Sequence, residues 1–235
     1  MVDLDAKIIP PIILTQMGKQ VYSAVAMERL LTQWDNFYET YYPLEMKYGV
    51  NIIDKMWKSD LSEAKSQIAS AEIAVNTHML RQAANQLLKA ENIFHEIRGR
   101  HGVSYILDDM LDFSDNIREI KKKCAQEKIN ERDFVQLRKM FDETENKWKK
   151  VENTKIDQAL FGFTPGKIKA LKIKIKGEKK YLQALSGAIY AGNKEEATLA
   201  SIAIEQNLVQ IIRAFGDFNP IIEKVKQENK RNLKK

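Results

Sequence analysis

The chain is poor in the residues that crosslink, kink or turn a fold. A single cysteine, Cys124, excludes an intramolecular disulfide and any zinc or iron–sulfur centre built from several thiolates. Ten glycines and 5 prolines among 235 residues are too few for an all-β sandwich, which turns about every ten residues. The longest apolar runs fall short of the ~18 residues that mark a membrane-spanning helix. Three histidines, His78, His95 and His101, offer no His-x-x-x-His pair and no Glu-x-x-His pair. Glu91 and His95 stand at i, i+4, a generic helical spacing, so no metal and no cofactor is expected. There is also no Gly-x-Ser-x-Gly elbow, no Walker loop and no Gly-x-Gly-x-x-Gly. An enzyme is not expected.

What the chain does have is an apolar fraction of 44% beside a charged fraction of 30%, enough to build a packed core. Its net charge of +6 is unevenly spread. Residues 1–120 carry 12 Lys+Arg against 17 Asp+Glu, and residues 121–235 carry 26 against 15. A basic second half attracts acidic surfaces, anionic lipid or nucleic acid, and equally the acidic first half of this chain or another. The N-terminus shows no secretory signal: residues 8–13 are short, lack a basic leader and are broken by Pro10-Pro11. At face value that places the chain in the cytoplasm, or outside it if Met1 stands where a leader was removed.

Apolar residues recur at three and four nearly throughout, the period of an amphipathic helix. A first helix is expected over residues 12–42, ended by Pro43, with Gly49 a second weak point. A second starts at Asp60, with Glu63 in capping-box position, and runs to Gly99-Arg100-His101-Gly102. A third carries Ile106, Met110, Phe113, Ile117, Ile120 and Cys124. Asn130 caps a fourth, with Phe134, Leu137, Phe141, Trp148 and Val151 on one face. Thr164-Pro165 opens a fifth, to about Tyr190. Residues 167–176 alternate Lys with apolar residues, which is a strand period, but the Thr-Pro start and the ladder through Leu182 favour helix. Asn193 with Glu196 starts a sixth. The segments around Trp57 and Tyr190, each an aromatic and a capped turn before an Ala-rich helix, hint at a duplicated hairpin.

The expected fold is therefore all-α: an elongated antiparallel bundle of five to seven helices, or two stacked helical-hairpin units. Residues 1–11 read as a tether, 12–128 as an acidic helical half, 129–220 as a basic helical half, and 221–235 as a Lys-rich tail. Two stripes stand out. Trp34, Phe37, Tyr38 and Tyr41 share one helical face, with Tyr42 pointing away and Tyr48 nearby. This is either core seam or, with Met46 and Met56 as soft walls, an aromatic-lined cleft for a small apolar molecule, for which Trp34, Tyr38, Tyr41 and Met56 are the candidate residues. Lys169, Lys172, Lys176 and Lys179 line one side of a helix and are the candidate anion-binding residues. They lack the interleaved aromatics of a nucleic-acid surface, so a solvated face or one docked on the acidic segment 108–119 is the simpler reading. Asp108, Asp109, Asp112 and Asp115 suit a helix N-terminus without calcium. The expected function is a non-enzymatic helical interaction or scaffold module with a protein partner. A ligand-sensing bundle and a lysine-stripe module for anionic surfaces are the alternatives, and self-association is left open.

Overall fold

A computed structural model describes residues 2–43 and 54–232. Nine α-helices and one 3₁₀ turn, with no strand, are found among the described residues, so the fold is all-α. The helices are α1 Val2–Gln16, α2 Gln20–Tyr41, α3 Trp57–Asn76, α4 Leu80–Arg100, α5 Ile106–Cys124, α6 Glu131–Asn153, α7 Pro165–Tyr190, α8 Lys194–Ile212 and α9 Asn219–Asn232. The expected positions Met46, Tyr48 and Gly49 lie outside the described residues. The chain forms two compact units, one of residues 1–104 with 215–235 and one of residues 105–214.

The count exceeds five to seven because two expected helices break and both chain ends are helical. The breaks share one device. At Gly18 the Lys19 N–H reaches the Leu14 carbonyl and the Gly18 N–H that of Thr15, the paired bonds of a Schellman turn, whose hinge residue must be left-handed. Gly102 and Gly192 close helices with the same pair of bonds, and Gly162 closes the turn over residues 158–162 with it, all at φ between 59° and 70°. The second break uses His78, at φ 63°, with Met79 N–H bonded to Ala74 O and His78 N–H to Val75 O. No glycine marks that turn, so residues 60–97 read as one helix in sequence. Asp60 is consequently not a cap: it lies inside α3, buried and paired with Arg100.

Residues 1–11 are not a tether. Residues 2–11 form most of α1, where Leu4, Ile8, Ile12 and Ile13 are buried. Proline inside a helix strips the bond to the carbonyl four residues back. Pro10 thereby frees the carbonyl of Ala6, which instead accepts the backbone N–H of Asp217 at 2.9 Å. The Asp217 carboxylate also pairs with Lys7 Nζ at 2.5 Å and Arg29 Nη2 at 3.1 Å. At Gly216 an added Cβ would sit 2.9 Å from Ile9 Cγ2 and 2.6 Å from the Phe218 ring, so only glycine allows so close an approach. These contacts carry the expected Lys-rich tail back as helix α9, whose buried Ile221 and Val225 and the Lys224–Glu28 pair at 2.6 Å seat it on α2.

The first unit is thus two hairpins, α1–α2 and α3–α4, packed α1 on α4 and α2 on α3, with α9 against α2. In its interior Arg98, 3% exposed, holds Asp5 at 3.4 Å and Glu91 at 3.0 Å. Glu91 therefore serves a buried ion cluster. The second unit is a four-helix bundle in which α5 packs on α6, α6 on α7, α7 on α8 and α8 on α5. Its helix starts follow the sequence closely. Asn130 and Asp133 make a reciprocal capping box, Thr164 accepts from Lys167 N–H with Pro165 at the first helical position, and Asn193 accepts from Glu196 N–H. The alternating segment 167–176 is helical, with Leu171 and Ile175 inward and the lysines outward.

The charge split does not follow the two units. With α9 folded back, the first carries 17 Lys+Arg against 15 Asp+Glu, and the second 21 against 17.

Candidate functional site

The aromatic stripe of α2 is placed first by its periodicity. Trp34, 2% exposed, and Phe37 are core residues, meeting Phe94 of α4 at centroid distances of 5.8 Å and 6.3 Å. Tyr38 is half-buried, with its ring 5.6 Å from Trp34 and Lys65 Nζ 4.3 Å above it. Tyr42 does not point away: it stacks on Tyr38 at 4.5 Å, because residues four apart are neighbours on a helix. Burial raises the Tyr38 hydroxyl above its usual pKa, and Tyr42 adds to the rise. Tyr41 is exposed, and its carbonyl accepts the indole N–H of Trp57 at 3.1 Å. Met56 is exposed. Of the four candidate residues, Trp34 and Tyr38 are in contact, and Tyr41 and Met56 face outward.

Beside this stripe, Asp54 anchors a polar cluster. Its carboxylate accepts the Met56 N–H at 2.9 Å, faces Arg100 at 3.1 Å and His101 Nε2 at 3.0 Å, and Arg100 also binds Asp60. Burial alone would raise the Asp54 pKa, but the Met56 amide, Arg100 and His101 outweigh it and hold it below the ordinary range. The arrangement ties the start of α3 to the end of α4. Cys124 is buried, and burial pushes its thiol up, which suits a small apolar filler rather than a nucleophile. No group of three or more His, Cys, Asp or Glu side chains that could hold a metal occurs among the described residues. No helix among them is long and apolar enough to cross a membrane.

Lys169, Lys172, Lys176 and Lys179 are all exposed on α7 and carry no ion pair among the described residues. None of the four pairs with a carboxylate of 108–119 among the described residues; there Lys147 bonds to Asp112 O and Asn116 Oδ1, and Lys122 faces Glu119 at 3.9 Å. Beneath the stripe, Glu178 is fully buried on the opposite face of α7. Its Oε2 accepts from Asn207 Nδ2 of α8, while Oε1 has no partner among the described residues. Burial pushes this carboxyl up to about 7, with Asn207 and Lys180 opposing it only in part.

Lys179 also lines a cleft of about 210 Å³ between α6 and α7. Phe141, Trp148 and Leu182 are its buried walls; Glu145, Lys149, Glu152, Gln183 and Ser186 complete it. Glu145 and Lys149 neutralise one another at 2.8 Å, whereas Glu152 and Lys179 make no ion pair among the described residues. Trp148 is held by Phe113 at 4.7 Å, and its indole N–H is buried with no acceptor among the described residues.

A different surface lies at one end of the first unit. Gln20 Nε2 donates to Val75 O at 2.7 Å, tying the start of α2 to the end of α3. The α1–α2 and α3–α4 turns therefore sit side by side, exposing Met17, Val21, Ile73 and Met79. Neither α2 nor α4 has a side-chain cap or an acid in its first turn, and Lys19 and Arg81 are exposed there against the half-buried Glu72. Sequence reading missed both this end and the α6–α7 cleft. Comparison with protein-family models, curated proteins and solved structures finds no match.

Proposed function

We propose that the chain is a non-enzymatic helical interaction module whose first unit docks a protein segment of acidic and apolar character on its paired hairpin turns. The observation that carries this reading is the pairing of Met17 and Val21 with Ile73 and Met79 at one end, fastened by the Gln20–Val75 bond. Grouped exposed apolar side chains suit a binding surface, whereas single scattered ones do not. The sign of the partner follows from Lys19, Arg81 and the two acid-free helix starts, which together favour carboxylates. His78 supports the same reading. A side chain is kept at a left-handed hinge where the four equivalent turns use glycine, at a conformational cost of about 1–2 kcal/mol.

The test places a photo-crosslinking residue at position 79, and at the exposed position Val135 of the second unit as a control, in the full chain. In native extract, position 79 should give one dominant adduct, mapped by peptide mass spectrometry to a segment richer in Asp and Glu than in Lys and Arg. That adduct should be lost in Arg81→Glu. Equal adducts from both positions, adducts with a second copy of the chain, or persistence in Arg81→Glu would overturn the reading.

A further inference from the structure

We propose that the α6–α7 cleft is a binding site for a small zwitterion with an apolar or aromatic side chain, the chemistry of a free aromatic or branched amino acid. Three features of the cleft set this class. Size comes first: a cavity of about 150 Å³ holds a benzene ring, so about 210 Å³ holds one ring or branched chain with a short polar arm. The walls come next. Phe141, Trp148 and Leu182 are buried and apolar, walls that suit an apolar or aromatic side chain.

The rim decides the charge. Glu145 and Lys149 cancel. What remains on the rim is one cation, Lys179, and one anion, Glu152, both without ion-pair partners among the described residues and on facing helices. A simple carboxylate would gain Lys179 but meet Glu152; a simple amine would do the reverse. A ligand bearing both charges satisfies both. Gln183 and Ser186 add neutral hydrogen-bonding groups on the α7 side.

The experiment titrates the full chain with L-phenylalanine, 3-phenylpropanoate, which lacks the ammonium, and 2-phenylethylamine, which lacks the carboxylate. Binding is read by calorimetry and by tryptophan emission. Of the three tryptophans only Trp148 lines the cleft, so Trp34 and Trp57 form a constant background. L-phenylalanine should give a saturable change, and each single-charge analogue should bind about tenfold more weakly, the worth of one charge-assisted hydrogen bond. Lys179→Ala, an exposed change that leaves the core intact, should weaken L-phenylalanine by a similar factor. Ser186→Phe, which fills the cleft, should remove binding while far-ultraviolet circular dichroism stays helical. No saturable change up to the solubility limit, equal binding of all three probes, or full binding by Lys179→Ala would overturn the proposal.

Discussion

Glu178 makes the stability of the second unit depend on pH, with a sign opposite to that of most carboxylates. Its pKa rises from an ordinary 4.5 to about 7 because burial between α7 and α8 disfavours the charge, and Asn207 satisfies only one oxygen. Between those two values the folded protein holds a proton that the unfolded chain has released. Stability then falls as pH rises. The contribution is complete below 4.5 and gone once pH has passed about 7. The displacement is equivalent to about 3 kcal/mol. Glu178→Gln keeps the shape and the acceptor for Asn207 but never ionises. Variant and native chain should therefore be about equally stable near pH 5, and the variant should lead by about 2–3 kcal/mol near pH 8. Urea unfolding at a series of pH values measures this. Hydrogen exchange of α7 and α8 amides assigns the effect to the second unit, since a chain of two units need not unfold in one step. A stability difference that stays constant from about pH 5 to pH 8 would refute the reasoning.

Three further outcomes follow from the first unit. Arg98→Met strands Asp5 and Glu91 without their cation and should cost about 3–5 kcal/mol in thermal or urea unfolding; a loss below about 1 kcal/mol would show that the cluster is hydrated. His78→Gly should stabilise the fold by about 0.5–1 kcal/mol, the left-handed strain relieved less the added freedom of glycine. Asp217→Ala should speed proteolysis within residues 215–218, because the ion pairs to Lys7 and Arg29 would be lost; unchanged cleavage would mean that the Ala6 bond and the packing of Phe215, Phe218, Ile221 and Val225 are sufficient.

The all-α architecture was legible because helical period and chemical caps agree over the second unit. Asn130, Thr164-Pro165 and Asn193 each place an oxygen three residues ahead of an unpaired N–H, and all three start helices where expected. In the first unit the same reasoning failed at three places for three reasons. Gly18 falls inside an apolar run long enough to read as continuous helix. His78 takes a conformation that its type rarely adopts, so no residue announces the turn. Pro10-Pro11 looks like a helix breaker, yet the backbone bond that Pro10 removes is replaced by Asp217, more than two hundred positions away. A local rule cannot contain that compensation.

The cleft and the hairpin-turn surface were less legible still, because each joins residues whose local patterns have another meaning. Phe141, Glu145, Trp148, Lys149 and Glu152 are one face of α6, and Lys179, Leu182, Gln183 and Ser186 are one face of α7. Taken singly, each is the apolar stripe with flanking charges that any bundle helix shows. Only the facing of the two helices leaves a space, and around it apolar walls meet a cation and an anion that make no ion pair among the described residues. The lysine stripe illustrates the same point from the other side. Its regular spacing singled out Lys179 with three neighbours, but nothing in that spacing separates the lysine beside a cleft from those facing solvent. What distinguishes Lys179 is Trp148, supplied by another helix.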